Sequence, residues 1–397
     1  MEKLAIFGGE PVRKHPIYYG RQCIEQDDID AVAEVLKSDS LTCGPKIRDV
    51  EKELCRVTGA KYAVVVANGT AALHIAAMAA GFGEGDEVIV SSITFAASSN
   101  CVLYCGAKPV FADIRPDTYN IDPDSIRKLI TPRTKGIVAV HFTGQAVEHD
   151  EIRAICEENH LTLIEDAAHA IGTKYKGEPI GSLADMTCFS FHPVKTVTAG
   201  EGGAVTTNDE ELYHKLLRLR AHGITRNQAE MVHPTDARWY NEQVELGYNY
   251  RMTDFQAALL LSQLGKLERF SGRRKEIAAI YDEAFSQMPE LFVQREIPES
   301  DTTRHLYIIR LNLDRLTCDR RQFFDALYAE NVCPQVHYLP VYWHSYYEKL
   351  GYGKGLCPNA EKYYNEVMSI PFYPAMTDED VRDVIRAVEK VVSCYQK

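Results

Sequence analysis

Between residues 61 and 207 the chain alternates short apolar runs with segments of helical period, and nothing else in it constrains the fold as strongly. Apolar runs at 62–67, 87–90, 109–112, 136–141 and 162–165 are separated by helical patterns at 70–80, 96–104, 123–130 and 149–159. Two further short strands, 188–191 and 204–207, close the series. Several of the runs, such as Val64-Val65-Val66 and Ile137-Val138-Ala139-Val140, show no polar alternation, which suits strands covered on both faces. Strands joined through helices make βαβ units and a largely parallel sheet. The expected class is therefore α/β, with one large domain around a central, mostly parallel sheet.

The flanks have other rhythms. Ahead of the series, two helices are expected, one with Ile29, Val32, Ala33 and Leu36 on its apolar face and one with Val50, Leu54 and Val57. Behind it come a helix at 212–222, a polar excursion at 224–243 and one long helix opening at Thr253. That helix is apolar on more than one face (Leu260, Leu264 and Leu267, then Phe255 and Leu259), which suits burial between domains or subunits. From residue 301 a smaller α+β unit is expected: strand 305–313, helix 321–330, strand 335–338, a helix around 359–368, and a last helix capped at Thr377 with Asp380 three residues on. The expected division is 1–250 for the large domain with its N-terminal helices, 251–300 for the connecting helix, and 301–397 for the small C-terminal domain.

A net charge of −12 argues against nucleic acid or an anionic membrane as a bulk partner, though local donors can still hold a small anion. The 11 cysteines are scattered, with no CxxC pair and no metal-ligand spacing; a metal at Cys101 and Cys105 would need further ligands. They read as reduced thiols of a cytoplasmic protein. The apolar run 4–9 is too short for a signal peptide, and the stretch 70–83, which contains His74, reads as a buried helix and not a membrane span.

Three places carry chemistry. The run Ala-Val-Val-Val-Ala-Asn-Gly-Thr-Ala-Ala-Leu is strand, tight turn and helix start; Thr70 and Ala71 there either offer free amides to a phosphate or simply form a turn and cap. Asp166 lies just past the end of a buried strand, at the carboxyl edge of the sheet, where it serves as a helix cap or as the partner of a cationic ring nitrogen; His169 sits on the same side. Lys195 lies on a loop fed by an apolar strand, with Gly200, Gly202 and Gly203 behind it, and is either a solvated lysine or a partly desolvated nucleophile toward carbonyls. A phosphate cradle, an aspartate and a lysine on one sheet edge match the needs of pyridoxal 5′-phosphate, and Phe95, just past a strand, is placed to cover its ring. The phosphate loop G-x-x-x-x-G-K-[ST], the dinucleotide fingerprint G-x-G-x-x-G and the hydrolase elbow G-x-S-x-G are all missing.

Five ordered stretches (NGTAAL, GDEVIVSSITFAASSN, IEDAAHA, SFHPVKTVTAGEGGAV and LGYNYRMTDFQAAL) resemble the DegT/DnrJ/EryC1/StrS family of sugar-nucleotide aminotransferases over nearly the whole chain. The resemblance implies a pyridoxal-phosphate transferase of fold type I, like aspartate aminotransferase. It implies Lys195 as the Schiff-base lysine, Asp166 as the partner of the pyridine nitrogen and His169 near the ring hydroxyl. It also implies Phe95 as the stacking aromatic, Gly69, Thr70, Ala71 and Ser190 as phosphate contacts, and Asn249 as a phosphate contact from the neighbouring subunit, hence a homodimer with shared active sites. Family members with histidine at the lysine position are dehydratases; Lys195 here favours transamination. Further stretches (PIYYGRQCIEQDDIDAV, HGITR and WYNEQVELGYNYRMTD) are similar to the branch that serves pseudaminic acid synthesis, which implies L-glutamate as donor and a UDP-linked 4-keto-6-deoxy-N-acetylhexosamine as acceptor. One departure is Thr143, where a smaller residue is expected. Arg251 is a candidate for gripping a substrate carboxylate or the diphosphate, or is paired with a structural carboxylate. Tyr18, Tyr19, His337 and Tyr338 line the sugar-nucleotide pocket or pack the core. An acceptor of perosamine or 4-amino-arabinose type, or a non-catalytic cofactor-binding regulator, remain the other readings.

Overall fold

The computed structural model describes residues 2–397. Its centre is a seven-stranded sheet built from β1 (Tyr62–Val66), β2 (Glu87–Ser91), β3 (Lys108–Ala112), β4 (Thr134–Val140), β5 (Thr162–Asp166), β6 (Met186–Ser190) and β7 (Gly203–Thr207). Their order across the sheet is β1-β7-β6-β5-β4-β2-β3. Six strands run one way; β7 alone runs against its neighbours β1 and β6. The sheet is thus mostly parallel, as the unbroken apolar runs require, and Val64, Val65, Val66, Ile137, Val138 and Ala139 are fully buried.

Helix α1 (Gln26–Leu36) packs through Asp28 against Ser262, Gln263 and Lys266, and helices α2 (Pro45–Thr58), α3 (Gly69–Ala79), α4 (Ala97–Tyr104), α5 (Pro123–Leu129), α6 (His149–Asn159) and α7 (Glu210–Arg220) cover this sheet. α3 is alanine-rich because it lies inside: Ala72, Ile75, Ala76 and Ala77 have no exposure, and small side chains let it sit close on β1, β6 and β7. The long helix expected from Thr253 is two helices, α8 (Asp254–Leu264) and α9 (Leu267–Phe285), broken at Gly265 and Lys266. α8 opens with the capping box Thr253/Gln256, and its Asp254 accepts the amides of Gly44 and Lys46, so α8 also caps the start of α2.

A second apolar core gathers Ile277, Tyr281 and Phe285 of α9 with a three-stranded antiparallel sheet (Leu291–Val293, Tyr307–Leu311, Val367–Ile370) and the final helix, Asp378–Tyr395. The N-terminal residues Leu4 and Ile17 belong to this core too. The final helix carries the Thr377/Asp380 capping box and buries Val381, Val384, Val388 and Val391. The strand expected at 335–338 is absent; only a single bridge joins Gln335 to Ser369. Pro334 and Pro340 bracket this segment, and proline gives a sheet no donor. The helix expected at 359–368 ends at Glu366, and Val367 begins a strand. The polar excursion holds a two-residue hairpin, Ile224–Thr225 with Glu242–Gln243. Among the described residues no helix is long and apolar enough to cross a membrane.

Candidate active site

Six strands end along one edge of the sheet, and β7, running the other way, begins there. Gly203 at its start pairs with Val66 near the end of β1 and with Ser190 at the end of β6. A cavity of about 760 Å³ opens over this edge. Gly69, Thr70, Phe95, Asp166, His169, Ser190, Lys195, Tyr19, His337 and Tyr338 of the predicted set line it. Tyr18, Ala71, Asn249 and Arg251 do not.

The floor is shaped by absent side chains. A Cβ on Gly203 would stand 2.4 Å from the Asn68 carbonyl oxygen, and one on Gly69 would stand 2.8 Å from Ser190 Cβ. Asn68 caps α3 by accepting the Ala71 amide at 2.8 Å. The Ala71 N–H is therefore spent inside the chain, while the Gly69 and Thr70 peptides face the cavity beside Ser190. A helix N-terminus with its positive dipole end and a hydroxyl make a cradle for a phosphate.

Strand alternation separates two neighbouring carboxylates on β5. Asp166 points into the cavity; its Oδ2 accepts from Ser98 Oγ at 2.6 Å and its Oδ1 from the Ala168 amide at 3.0 Å. Glu165 points to the other side, fully buried between His141 (3.2 Å) and His149 (2.7 Å). Burial alone would raise the Glu165 carboxyl, but the two imidazoles outweigh it and hold the group below the ordinary glutamate value.

Lys195 reaches the cavity from the loop after β6 and keeps partial exposure through it. Burial lowers its ammonium from 10.5 to about 8, against the opposing pull of Asp166. That is the character of an amine that attacks carbonyls. Beside it lies a set of imidazoles kept uncharged. His169 is held well below the usual histidine value by burial, then by Lys195 and His337, and His337 falls to about 3 through burial and Lys195. His169 Nε2 lies 3.3 Å from Tyr338 Oη, its ring is 4.4 Å from that of His305, and its Nδ1 is buried with no partner. Phe95 stands over the opening, 62% exposed, with its ring 6.2 Å from that of Tyr338.

The remaining predicted residues lie elsewhere on this chain. Tyr18 is exposed on a short strand beside Cys333. Asn249 is exposed and bridges Ala221, and Arg251 is half-buried. Sequence reasoning did not single out Asn68, Thr94, Ser98 or His305. The first had a signal, since asparagine before Gly-Thr is a preferred N-cap. Thr94 and Ser98 had none, since Thr94 lies in the loop ahead of α4 and meets Ser98 only through the turn there.

An unpartnered buried imidazole nitrogen, a depressed lysine, a paired carboxylate and a glycine-walled helix start fit pyridoxal 5′-phosphate. Comparison with known proteins bears directly on this. The sequence pattern of the DegT/DnrJ/EryC1/StrS aminotransferase family matches residues 22–389. The chain belongs to that family. Aminotransferases of the DegT family use pyridoxal 5′-phosphate, and so does this one; chains of this fold are known in both pyridoxal- and pyridoxamine-phosphate forms. Among its relatives, the chain is 43% identical over 382 residues to the spore coat polysaccharide biosynthesis protein SpsC of Bacillus subtilis, covering 96% of this chain and 98% of SpsC. It is 38% identical over 386 residues to the UDP-4-amino-4,6-dideoxy-N-acetyl-beta-L-altrosamine transaminase of Campylobacter jejuni, covering 96% and 99%. Of solved structures, Helicobacter pylori PseC, an aminotransferase involved in the biosynthesis of pseudoaminic acid, superposes with a TM-score of 0.88 at 32% identity, over 96% of this chain and all of PseC. The protein is a sugar aminotransferase of fold type I.

Proposed function

We propose that the protein transfers the amino group of L-glutamate to C4 of a UDP-linked 4-keto-6-deoxy-N-acetylhexosamine, as a cytoplasmic homodimer. The observation that carries the reaction is the Lys195 amine, lowered to about 8 and sharing one cavity with Asp166. The similarity to the Campylobacter jejuni transaminase supports the sugar.

When bound, pyridoxal 5′-phosphate supplies a carbonyl that takes up the amino group and a ring that accepts the α-carbon's electron pair. The Gly69 and Thr70 amides and the Ser190 hydroxyl hold its phosphate. Asp166 holds a proton on the ring nitrogen, His169 meets the ring hydroxyl, and Phe95 covers one face and limits water. Lys195 would hold the cofactor through its carbonyl carbon, with loss of water; once glutamate's amine takes that place, Nζ would take the proton from the α-carbon and deliver it to that carbon, two bonds away across the nitrogen. An amine near 8 is free base a few hundred times more often at neutral pH than one at 10.5, which suits this work. In the second half of the cycle Lys195 returns a proton to C4 of the sugar from the same side.

The partner subunit completes the site in this reading. Asn249 is exposed and outside its own chain's cavity, as a residue serving a neighbour's phosphate would be. Arg251, likewise outside, is assigned to a substrate anion, and Tyr18, Tyr19, His337 and Tyr338 to the sugar nucleotide. A second reading, an acceptor nucleotide sugar of another class, has one observation in its favour: the 43% identity to SpsC.

The test is a two-stage spectroscopic titration. Glutamate should convert the bound cofactor to its amine form, and the UDP-4-keto-6-deoxy-N-acetylhexosamine should convert it back. Restoration by a keto-sugar of perosamine or 4-amino-arabinose type, and not by this one, would overturn the substrate assignment. Multiple turnovers by Lys195→Ala would overturn the mechanism.

A further inference from the structure

Ser98 Oγ is fully buried and has three oxygens around it: Asp166 Oδ2 at 2.6 Å, Thr94 Oγ1 at 2.7 Å and the Phe95 carbonyl at 3.2 Å. A serine hydroxyl has one proton to give. The carboxylate can only accept, and the charge-assisted bond is the shortest of the three, so Asp166 takes that proton. The Phe95 carbonyl is then left without it. Thr94, whose hydroxyl is also buried, must donate to Ser98. The network has a fixed polarity, from Thr94 through Ser98 to Asp166.

Asp166 Oδ1 already accepts the Ala168 amide. With a donor on each oxygen, the carboxylate plane is fixed. Thr94 is also the residue before Phe95, so one relay sets both the carboxylate beneath the sheet edge and the segment that carries the aromatic cover.

We infer that Ser98, backed by Thr94, is a positioning residue for transamination, keeping the Asp166 carboxylate aimed so that it holds the proton on the cofactor's ring nitrogen. The inference rests on the assignment of Asp166 to that nitrogen. Removing the Ser98 hydroxyl takes one of the two donors from Asp166 and frees the carboxylate to turn, so it holds the ring proton less well. The ring then draws electrons from the α-carbon less strongly.

The experiment loads the holoenzyme with pyridoxal 5′-phosphate isotopically labelled at the ring nitrogen and reads its magnetic resonance alongside the single-turnover rate with glutamate. In Ser98→Ala the resonance should move from the protonated toward the neutral position. The rate should fall about ten- to a hundredfold, the range for losing a hydrogen bond to a charged group, with KM for glutamate changed far less. Thr94→Val should shift both readouts the same way by less, and Thr94→Ser, which keeps the hydroxyl, should match the parent. Should Ser98→Ala fail to fold, the Thr94 pair carries the test. A protonated ring nitrogen in the parent with an unchanged resonance and rate in Ser98→Ala, or in Thr94→Val if it must stand in, would overturn this inference alone. A ring nitrogen unprotonated in the parent would sink the Asp166 assignment, and this inference with it.

Discussion

Replacing Lys195 by methionine in the cofactor-free protein should stabilise it at neutral pH, because the native state bears the cost of a buried ammonium that methionine does not have. The fall from 10.5 to about 8 corresponds to about 3 kcal/mol at ~1.4 kcal/mol per pH unit. Lys195 retains some contact with solvent through the cavity, so about 2 kcal/mol is the figure to test. The pH dependence is the sharper part. Below pH about 8 the amine is protonated in both folded and unfolded chains, and the whole penalty applies. Between about 8 and 10.5 the unfolded chain binds more protons than the folded one, so the parent gains stability as pH rises. Urea unfolding of both apo proteins at intervals from pH 7 to 10.5 measures this, and taking the difference cancels the tyrosines and other lysines that titrate in the same range. The advantage of Lys195→Met should be largest at pH 7 and shrink steadily across the window. An advantage that does not change with pH would show that methionine merely packs better. A destabilised variant would refute the argument that the lysine is held at a cost.

The other two predictions concern the cradle and the shared site. Gly203→Ala should cost about 1–3 kcal/mol of stability and weaken cofactor binding, since its Cβ would meet the Asn68 backbone at 2.4 Å and push the start of α3 aside; Gly83→Ala, where a Cβ meets nothing within 4 Å, is the control, and denaturant unfolding with fluorescence titration of the cofactor reads both. Lys195→Ala and Asn249→Ala homodimers should each have little activity, but unfolding and refolding them together should recover activity in the mixed dimers, where one of the two sites is intact; no recovery would count against a site shared between subunits.

The parallel sheet was legible because strands buried on both faces must be apolar at every position, and Val64 to Val66 and Ile137 to Val140 leave no other reading. Lys195, Asp166 and the turn at Gly69 were legible for a related reason: each follows such a run directly, so the end of the run dates its position to the sheet edge. The break at Gly265 was not. Lys266 at the break is buried and bound to Asp28 and Glu25, a long-range contact to α1 that no local pattern announces. The segment 335–338 was misread as a strand because Val336 and Tyr338 alternate with polar neighbours, yet what they face is the cavity and the aromatic cluster around Phe111 and Tyr342, not a second strand. Ser98 went unnoticed for the same reason: its partner Asp166 is 68 residues away.

The adjacent pair Glu165 and Asp166 shows why a sheet edge suits this chemistry. They are consecutive on the strand, and the pleat sends one down and one up. Glu165 is locked between two histidines and has no route to the cavity, so it adds rigidity to the strand end without competing for the proton that Asp166 must manage. Asp166 in turn is fixed by Ser98 and the Ala168 amide, and Lys195 arrives from the next strand, β6, whose Cys188 lies in register with Asp166. Asp166, Ser190, Lys195 and the Gly69–Thr70 turn thus stand at or just past the ends of β5, β6 and β1, within the contiguous run β1-β7-β6-β5 whose strands cannot slide without losing their ladders. The groups assigned to substrates (Tyr19, His337, Tyr338 and Arg251) all lie on segments outside the sheet, where a change of sequence can reshape the pocket and leave the strand ends untouched. That separation would let the pocket change its sugar while the strand ends keep their spacing.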